Sequence, residues 1–289
     1  MPNYVLKGHK IAAAKPQAGL YLAATPIGNL GDVTLRVLET LAGCDLIACE
    51  DTRVTAKLLR HFDIKTRTTS YHEHNAAQVG PELLDKIKSG MAIVLVSDAG
   101  TPLVSDPGYR LVEEAKLQQV SVTPLPGASS PLAALVTSGL PNEQWCFFGF
   151  LPTKRAARLT FLKAQARSQS TLIFFESPNR LVKTLGDMIA AFGENRLVCV
   201  ARELTKLHEE IVTATLGETL HHFAAKNVKG EIVLLVAPTA EQEETDPKEL
   251  LLELLKTLPV SQAAAEAASL TGEPKRKLYQ LALSLKDGD

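Results

Sequence analysis

The chain has 289 residues, of which 45% are hydrophobic and 22% charged, and a formal net charge of −1. That balance excludes a disordered or fibrous chain, and no run of about 18 apolar residues offers a membrane span, so no membrane partner is expected. A near-neutral total also weighs against a dedicated nucleic-acid-binding domain, although residues 241–289 hold ten acidic and six basic side chains and leave 25 basic against 22 acidic ones elsewhere.

The length exceeds one domain of about 100–200 residues, so two compact domains and an appendage are expected. Residues 1–19 carry Lys7, Lys10 and Lys15 but no signal-peptide apolar core, and read as a flexible arm. The four cysteines, Cys44, Cys49, Cys146 and Cys199, show no CxxC spacing and read as buried thiols of a cytoplasmic protein.

From residue 20 onward, short apolar runs alternate with amphipathic stretches, the pattern of βαβ units around a largely parallel sheet. Strands are predicted at 20–23, 45–49, 68–71, 92–97 and 121–124. Helices are predicted at 33–41 after Asp32, at 52–61 after Asp51 and at 75–89 before Gly90. A further helix runs from Pro131 to about Ser138, and the turn-rich GLPNEQ segment then marks a boundary, giving domains at 20–140 and 141–238.

The second series reads strand 146–150, helix 155–167, strand 171–175, helix 179–192 and strand 197–202. The run 210–216 follows too soon for a crossover helix and implies an antiparallel pair; with 231–237 it makes the second sheet mixed. Residues 239–289 read as an acidic linker, EQEETDPKE, and three short amphipathic helices divided by Pro259 and Gly272. Their outline is helix-turn-helix-like, but the net charge of that segment favours a small capping bundle.

Three loops leave parallel strands and enter helices, where ligands of open α/β sheets bind. The first contains Pro26 and Gly28, the second runs DAGTPLVSDPG over 98–108, and the third runs PLPGASSP over 124–131. The first is not GxGxxG, so a dinucleotide site has no support. The second packs a carboxylate, two hydroxyls and two prolines into one turn-rich loop, more than a plain turn needs. The segments FESP at 175–178, RELTK at 202–206 and KGE at 229–231 belong to the second domain and can line the same cleft. His72-Glu73-His74 has no further clustered ligands, so no metal is expected, and no hydrolase signature is present.

The chain resembles the tetrapyrrole methylase superfamily, and within it the branch acting on small-subunit ribosomal RNA. The resemblance rests on TPIGNLGDVTLR (25–36), CEDTR (49–53), SDAGTPLVSDPGYRLV (97–112), PLPGASS (124–130), GFLPTK (149–154), FFESPNRL (174–181), ARELTKLHEE (201–210) and KGEIVLLV (229–236). Porphyrinoid-modifying relatives show a GDP-like turn in place of DAGTP and lack the CEDTR and ESPNR patterns.

The resemblance implies two α/β domains, the first with a mainly parallel and the second with a mixed sheet. It implies a homodimer holding S-adenosylmethionine in the interdomain cleft and making 2'-O-methylcytidine in 16S ribosomal RNA of the small subunit. A methyltransferase acting on a tetrapyrrole is the alternative. The cofactor would meet Pro26 and Gly28 in the first loop, Asp98, Ala99, Gly100, Thr101, Pro102 and Ser105 in the second, and Ser129 and Ser130 in the third. From the second domain it would meet Phe175, Glu176, Ala201, Glu203, Leu204, Thr205, Gly230 and Glu231.

A ribose hydroxyl is a poor nucleophile and calls for a base; Asp98, Glu50, Asp51, Glu176 and Lys206 are candidates, and Asp51 serves equally well as a helix cap. Arg53 is the substrate-side candidate, since a guanidinium grips phosphate bidentately. Lys154, Arg155 and Arg158, followed by Lys163 and Arg167, form a basic run that is either a solvated face or an RNA contact.

Overall fold

In the computed structural model the described residues are 1–106, 108–239, 247–271 and 273–286. Most of the expected acidic linker, together with Pro107 and Gly272, lies outside them. The chain divides into two compact units, Met1–Pro238 and Thr239–Asp289.

The first unit opens with a hairpin, β1 (Asn3–Leu6) and β2 (His9–Ala12), where a flexible arm was expected. Burial explains the difference: Tyr4 and Ala13 are 5% and 6% exposed and join the core beneath the first sheet. That sheet contains β3 (Gly19–Ala23), β4 (Leu46–Cys49), β5 (Thr68–Ser70), β6 (Ala92–Val96) and β7 (Val122–Leu125), ordered β5-β4-β6-β3-β7 and parallel throughout.

Its inner strands β4, β6 and β3 are largely buried on both faces, as crossover helices cover each side, while the edge strands β5 and β7 stay partly exposed. Along β6, Ala92, Val94 and Val96 face α1 (Leu35–Gly43) and α2 (Thr52–His61). Ile93 and Leu95 face α3 (Ala76–Lys88) and α4 (Tyr109–Leu117), following the two-residue period of a strand. The α1 cap is Thr34 rather than Asp32, because Leu30–Asp32 form a 3₁₀ turn first. Asp51 caps α2 as its position predicts.

Helix α5 (Ser130–Thr137) follows the first sheet in sequence but packs on β9 (Thr171–Glu176) and β12 (Ile232–Val236) of the second sheet. The remaining strands there are β8 (Trp145–Phe150), β10 (Leu197–Arg202) and β11 (Glu210–Thr215). The order is β11-β10-β12-β9-β8, with β8 and β9 parallel and the other pairs antiparallel. Helices α6 (Arg155–Ala164), α7 (Leu181–Phe192) and α8 (Leu216–Ala224) cover the face carrying Phe174, Val200 and Leu234. The opposite face, with Ile173, Cys199 and Val233, takes α5 and Ile27 from the loop after β3. Thus the two sheets share an apolar seam within the first unit.

The second unit comprises α9 (Pro247–Leu254), α10 (Val260–Thr271) and α11 (Lys275–Lys286) around Leu251, Ala263, Ala267 and Leu278.

Candidate active-site cleft

Parallel strands bring their carboxyl ends to one edge, and the loops leaving β3, β6 and β7 are knitted together there. Thr25 and Gly100 exchange backbone hydrogen bonds of 2.8 and 3.0 Å, and the Thr101 hydroxyl donates to the Ala128 carbonyl at 3.3 Å. In the second sheet the ends of β8, β9 and β10 and the start of β12 meet at one edge. Between the two edges lies a cleft of about 350 Å³, within the usual size of small-molecule sites.

Of the predicted cofactor residues, Ala99, Gly100, Thr101, Ser105, Ser129 and Ser130 line it from the first sheet's loops. Phe175, Glu176, Ala201, Leu204, Gly230 and Glu231 line it from the second. Pro26, Gly28, Asp98, Pro102, Glu203 and Thr205 do not. Two of them pack closely on neighbouring segments: a Cβ on Gly28 would strike the Lys206 side chain, and one on Gly230 (φ +90°) would strike the Glu203 carboxylate. Sequence reasoning missed the apolar wall of Ile27, Val104, Phe150 and Val233, which looks like ordinary core in a one-dimensional reading. It also missed Asp106, which read only as part of a turn.

Two of these loops hold strained backbone. Leu103, Ser105, Glu203 and Thr205 are four of the seven non-glycine residues with positive φ among the described residues. Such conformations cost about 1–3 kcal/mol each and cluster at functional sites.

The electrostatics separate the candidate bases. Glu50, Asp51, Asp98 and Asp106 form an acidic group beside the ends of β4 and β6. Burial raises the Glu50 carboxyl above the usual range, and Asp98, Asp106 and Asp51 add to the effect. Burial likewise raises Asp106, which Asp98 reinforces and a hydrogen bond with Ser97 partly offsets. Asp51 is held at about 2 by its hydrogen bonds with Arg53, whose guanidinium contacts both carboxylate oxygens at 2.6–3.2 Å. Asp98 accepts from the Asp51 backbone N–H at 3.0 Å and so braces the turn into α2.

The second-domain candidates are already engaged. Glu176 is 2% exposed; it accepts from the Ser177 N–H at 2.7 Å and the Thr184 hydroxyl at 2.6 Å, and pairs with Arg180 at 3.3 Å. Lys206 donates to Glu203 at 2.8 Å and Glu231 at 3.1 Å. Burial opposes its charge, but these two carboxylates outweigh that and raise it above the usual lysine range. A neutral Lys206 acting as base, one of the expected options, is thereby disfavoured.

The basic run does not form one face. Arg158 is 5% exposed and is bound to Asp187 at 2.6 Å and to the carbonyls of Pro152 and Thr153, so its expected RNA contact is corrected to a structural role. Arg155 also reaches Asp187, at 2.9 Å, but stays 73% exposed in its side chain, and Lys154 is exposed at the helix entry. Arg53 is 88% exposed beyond its pairing with Asp51. Cys146 is exposed, against the expectation of four buried thiols; Cys44, Cys49 and Cys199 are buried.

Residues 19–220 match the family described as Tetrapyrrole (Corrin/Porphyrin) Methylases, and residues 241–286 match one described as RsmI C-terminal HTH domain. The second match replaces the capping bundle preferred from the charge of that segment with a helix-turn-helix. A Ribosomal RNA small subunit methyltransferase I from Mesorhizobium japonicum is 52% identical over 281 residues, 96% of each chain. Its counterpart from Escherichia coli O157:H7 is 46% identical over 283 residues, 96% of this chain and 99% of the relative. Among solved structures, the methyltransferase CobJ aligns with a TM-score of 0.58 and 20% identity over 77% of this chain and 95% of its own. A uroporphyrin-III C-methyl transferase from Thermus thermophilus, complexed with S-adenyl homocysteine, aligns with a TM-score of 0.53 and 19% identity over 75% and 96%. At such identities the structural likeness is one of fold.

Proposed function

Since the chain belongs to the tetrapyrrole methylase family, we propose that it transfers a methyl group from S-adenosylmethionine to the 2'-hydroxyl of a cytidine ribose in 16S ribosomal RNA of the small subunit. One observation carries this reading: likeness to the ribosomal RNA enzymes extends through the helical segment, whereas the solved structures of CobJ and the uroporphyrin-III C-methyl transferase cover only about three quarters of the chain.

The cleft suits the cofactor on its own chemistry. Ile27, Phe175 and Val233 offer an apolar bed for a flat base. Ser129 caps α5 without a side-chain hydrogen bond, so its hydroxyl and the helix N-terminus are available to a carboxylate. When bound, S-adenosylmethionine supplies a methyl group activated by a sulfonium charge.

The residues then divide the remaining work. Among the described residues three carboxylates line the cleft: Glu176 is locked by its hydrogen bonds, Glu231 is tied to Lys206, and Asp106 has no cationic partner. Asp106 is therefore the group that accepts the proton from the ribose hydroxyl. Its raised proton affinity suits the task, because a base with affinity nearer neutrality removes a proton more effectively. Burial and Asp98 sustain that raised affinity. Lys206 holds Glu203 and Glu231 together beneath the Gly230 turn, positioning one wall. Arg53, Lys154 and Arg155 keep outward charge that can meet RNA phosphate.

The working form in this reading is a cytoplasmic homodimer, supported by exposed Leu132 (47%), Val136 (72%) and Trp145 (41%), apolar surface that a second copy can cover. Among the described residues no helix is long and apolar enough to cross a membrane. The test is incubation of the protein and labelled S-adenosylmethionine with 30S subunits and, separately, with tetrapyrroles, followed by nucleoside analysis. Labelled 2'-O-methylcytidine is expected; label confined to a tetrapyrrole overturns the proposal.

A further inference from the structure

The charge of residues 241–289 is segregated rather than uniform. Helix α11 carries Lys275, Arg276, Lys277 and Lys286 with no acidic residue, while the acids lie before it and in the two residues 287 and 289 after it. A segment total therefore understates what one surface of the unit presents.

The helical period resolves that surface. Leu278 and Ala282 are 1% and 0% exposed, and Leu281 and Leu285 pack with them, fixing one face in the core. Arg276, Tyr279, Gln280 and Leu283 recur at the opposite azimuth and are all exposed, with Lys275 at their margin. Lys277 is excluded, because it is paired with Glu273 at 2.9 Å. Tyr279 and Leu283 are 39% and 38% exposed, which leaves an aromatic ring and an aliphatic side chain beside two cations that have no ion pair among the described residues. Three residues, 272–274, join α10 to α11, the connection length of a helix-turn-helix whose second helix meets nucleic acid.

From this face we infer that α11 is an RNA-binding surface that takes unpaired nucleotides, with Lys275 and Arg276 on phosphates and Tyr279 stacked on a base. The partner's class rests on the ribosomal RNA reading above. Within that class, A-form duplex has a deep, narrow major groove that a helix cannot enter, whereas looped RNA exposes bases to an aromatic ring. A small polar-aromatic face such as this suits the second case.

The test uses the full chain and naked 16S ribosomal RNA, with affinity measured across a salt series. Lys275→Glu with Arg276→Glu is expected to weaken binding about tenfold or more and to flatten the slope of log affinity against log salt by about 1.4, two phosphate contacts on a single strand. Tyr279→Ala is expected to weaken binding about tenfold with the slope unchanged. Lys256→Glu, an exposed cation of the same unit off this face, is expected to stay within twofold of wild type. S-adenosylmethionine affinity should not move in any variant.

Wild-type RNA affinity in the double and Tyr279 variants overturns the assignment, as does an equal loss in Lys256→Glu. Equal affinity for single-stranded DNA and duplex RNA of matched length overturns the choice of unpaired RNA. If wild-type protein binds 16S RNA through this face but methylates no RNA, the catalytic reading fails and this one stands.

Discussion

As the proposed base, Asp106 brings stability and activity into opposition. Burial and Asp98 raise its proton affinity in the folded state above that in the unfolded chain, so it favours folding in acid and loses that contribution as pH rises through the folded-state value. Asp106→Asn removes the ionisable group, and its stability relative to wild type is expected to improve between acid and neutral pH in denaturant titrations. Methyl transfer should fall about 100-fold or more, the usual scale for losing a general base, with cofactor affinity retained. In wild type, kcat/KM should rise with pH through the Asp106 ionisation, and that limb should be missing from the variant's residual activity. A variant with wild-type turnover would return the base to Glu50. Arg158 shows the opposite kind of residue: Arg158→Ala leaves Asp187, 3% exposed, with only the exposed Arg155, and should cost about 3 kcal/mol in denaturant unfolding with RNA affinity of the folded protein unchanged. Asp187 lies below the usual carboxylate range because its two arginines outweigh its burial, so its contribution is present at neutral pH and the deficit should narrow as acid protonates it.

At the scale of elements, the hairpin β1-β2 shows where a one-dimensional reading runs out. Its strands are four residues each, carry three lysines in and around them, and have little periodicity, yet Tyr4 reaches the core beside α1 and the Val5 N–H bonds the Phe62 carbonyl at 2.7 Å. Tyr4→Ala is expected to cost about 3 kcal/mol by thermal or denaturant unfolding, the scale for removing a buried aromatic ring; a loss below 1 kcal/mol would restore the flexible arm. The inner parallel strands β3, β4 and β6 were legible because burial on both faces makes them continuous apolar runs bounded by cap and turn residues. The antiparallel β10-β11 pair was legible because too few residues separate the two runs for a crossover. The central place of β12 was not, since no local pattern tells an inner strand from an edge one when its five residues are all apolar. The same limit hid the burial of Arg158: a cation on an amphipathic helix shows its partner only when Asp187 of α7 arrives from 29 residues away. The cleft loops were legible by their turn chemistry, but which of their residues face inward depends on backbone such as Ser105 and Thr205 at positive φ, and no residue type announces that conformation.

At the scale of the whole molecule, the division at Pro238 leaves the cleft in one unit and the α11 face in the other. All residues lining the cleft lie before it, and both sheets close their cores without help from the helices after it, since the buried clusters of the two units share no residue. A chain ending at residue 238 should therefore fold cooperatively and bind S-adenosylmethionine with an affinity within about twofold of the full chain. It should nevertheless lose RNA affinity, because Lys275, Arg276 and Tyr279 go with the helical unit. Methylation of 30S subunits should then fall chiefly through KM, since uniform substrate binding is lost while the groups acting on the reacting hydroxyl remain. Calorimetric titration of cofactor and steady-state kinetics on the truncated chain separate the outcomes. A fall in kcat with unchanged KM would mean that the helical unit acts at the cleft itself, and loss of the cofactor site would mean that the first unit cannot stand alone.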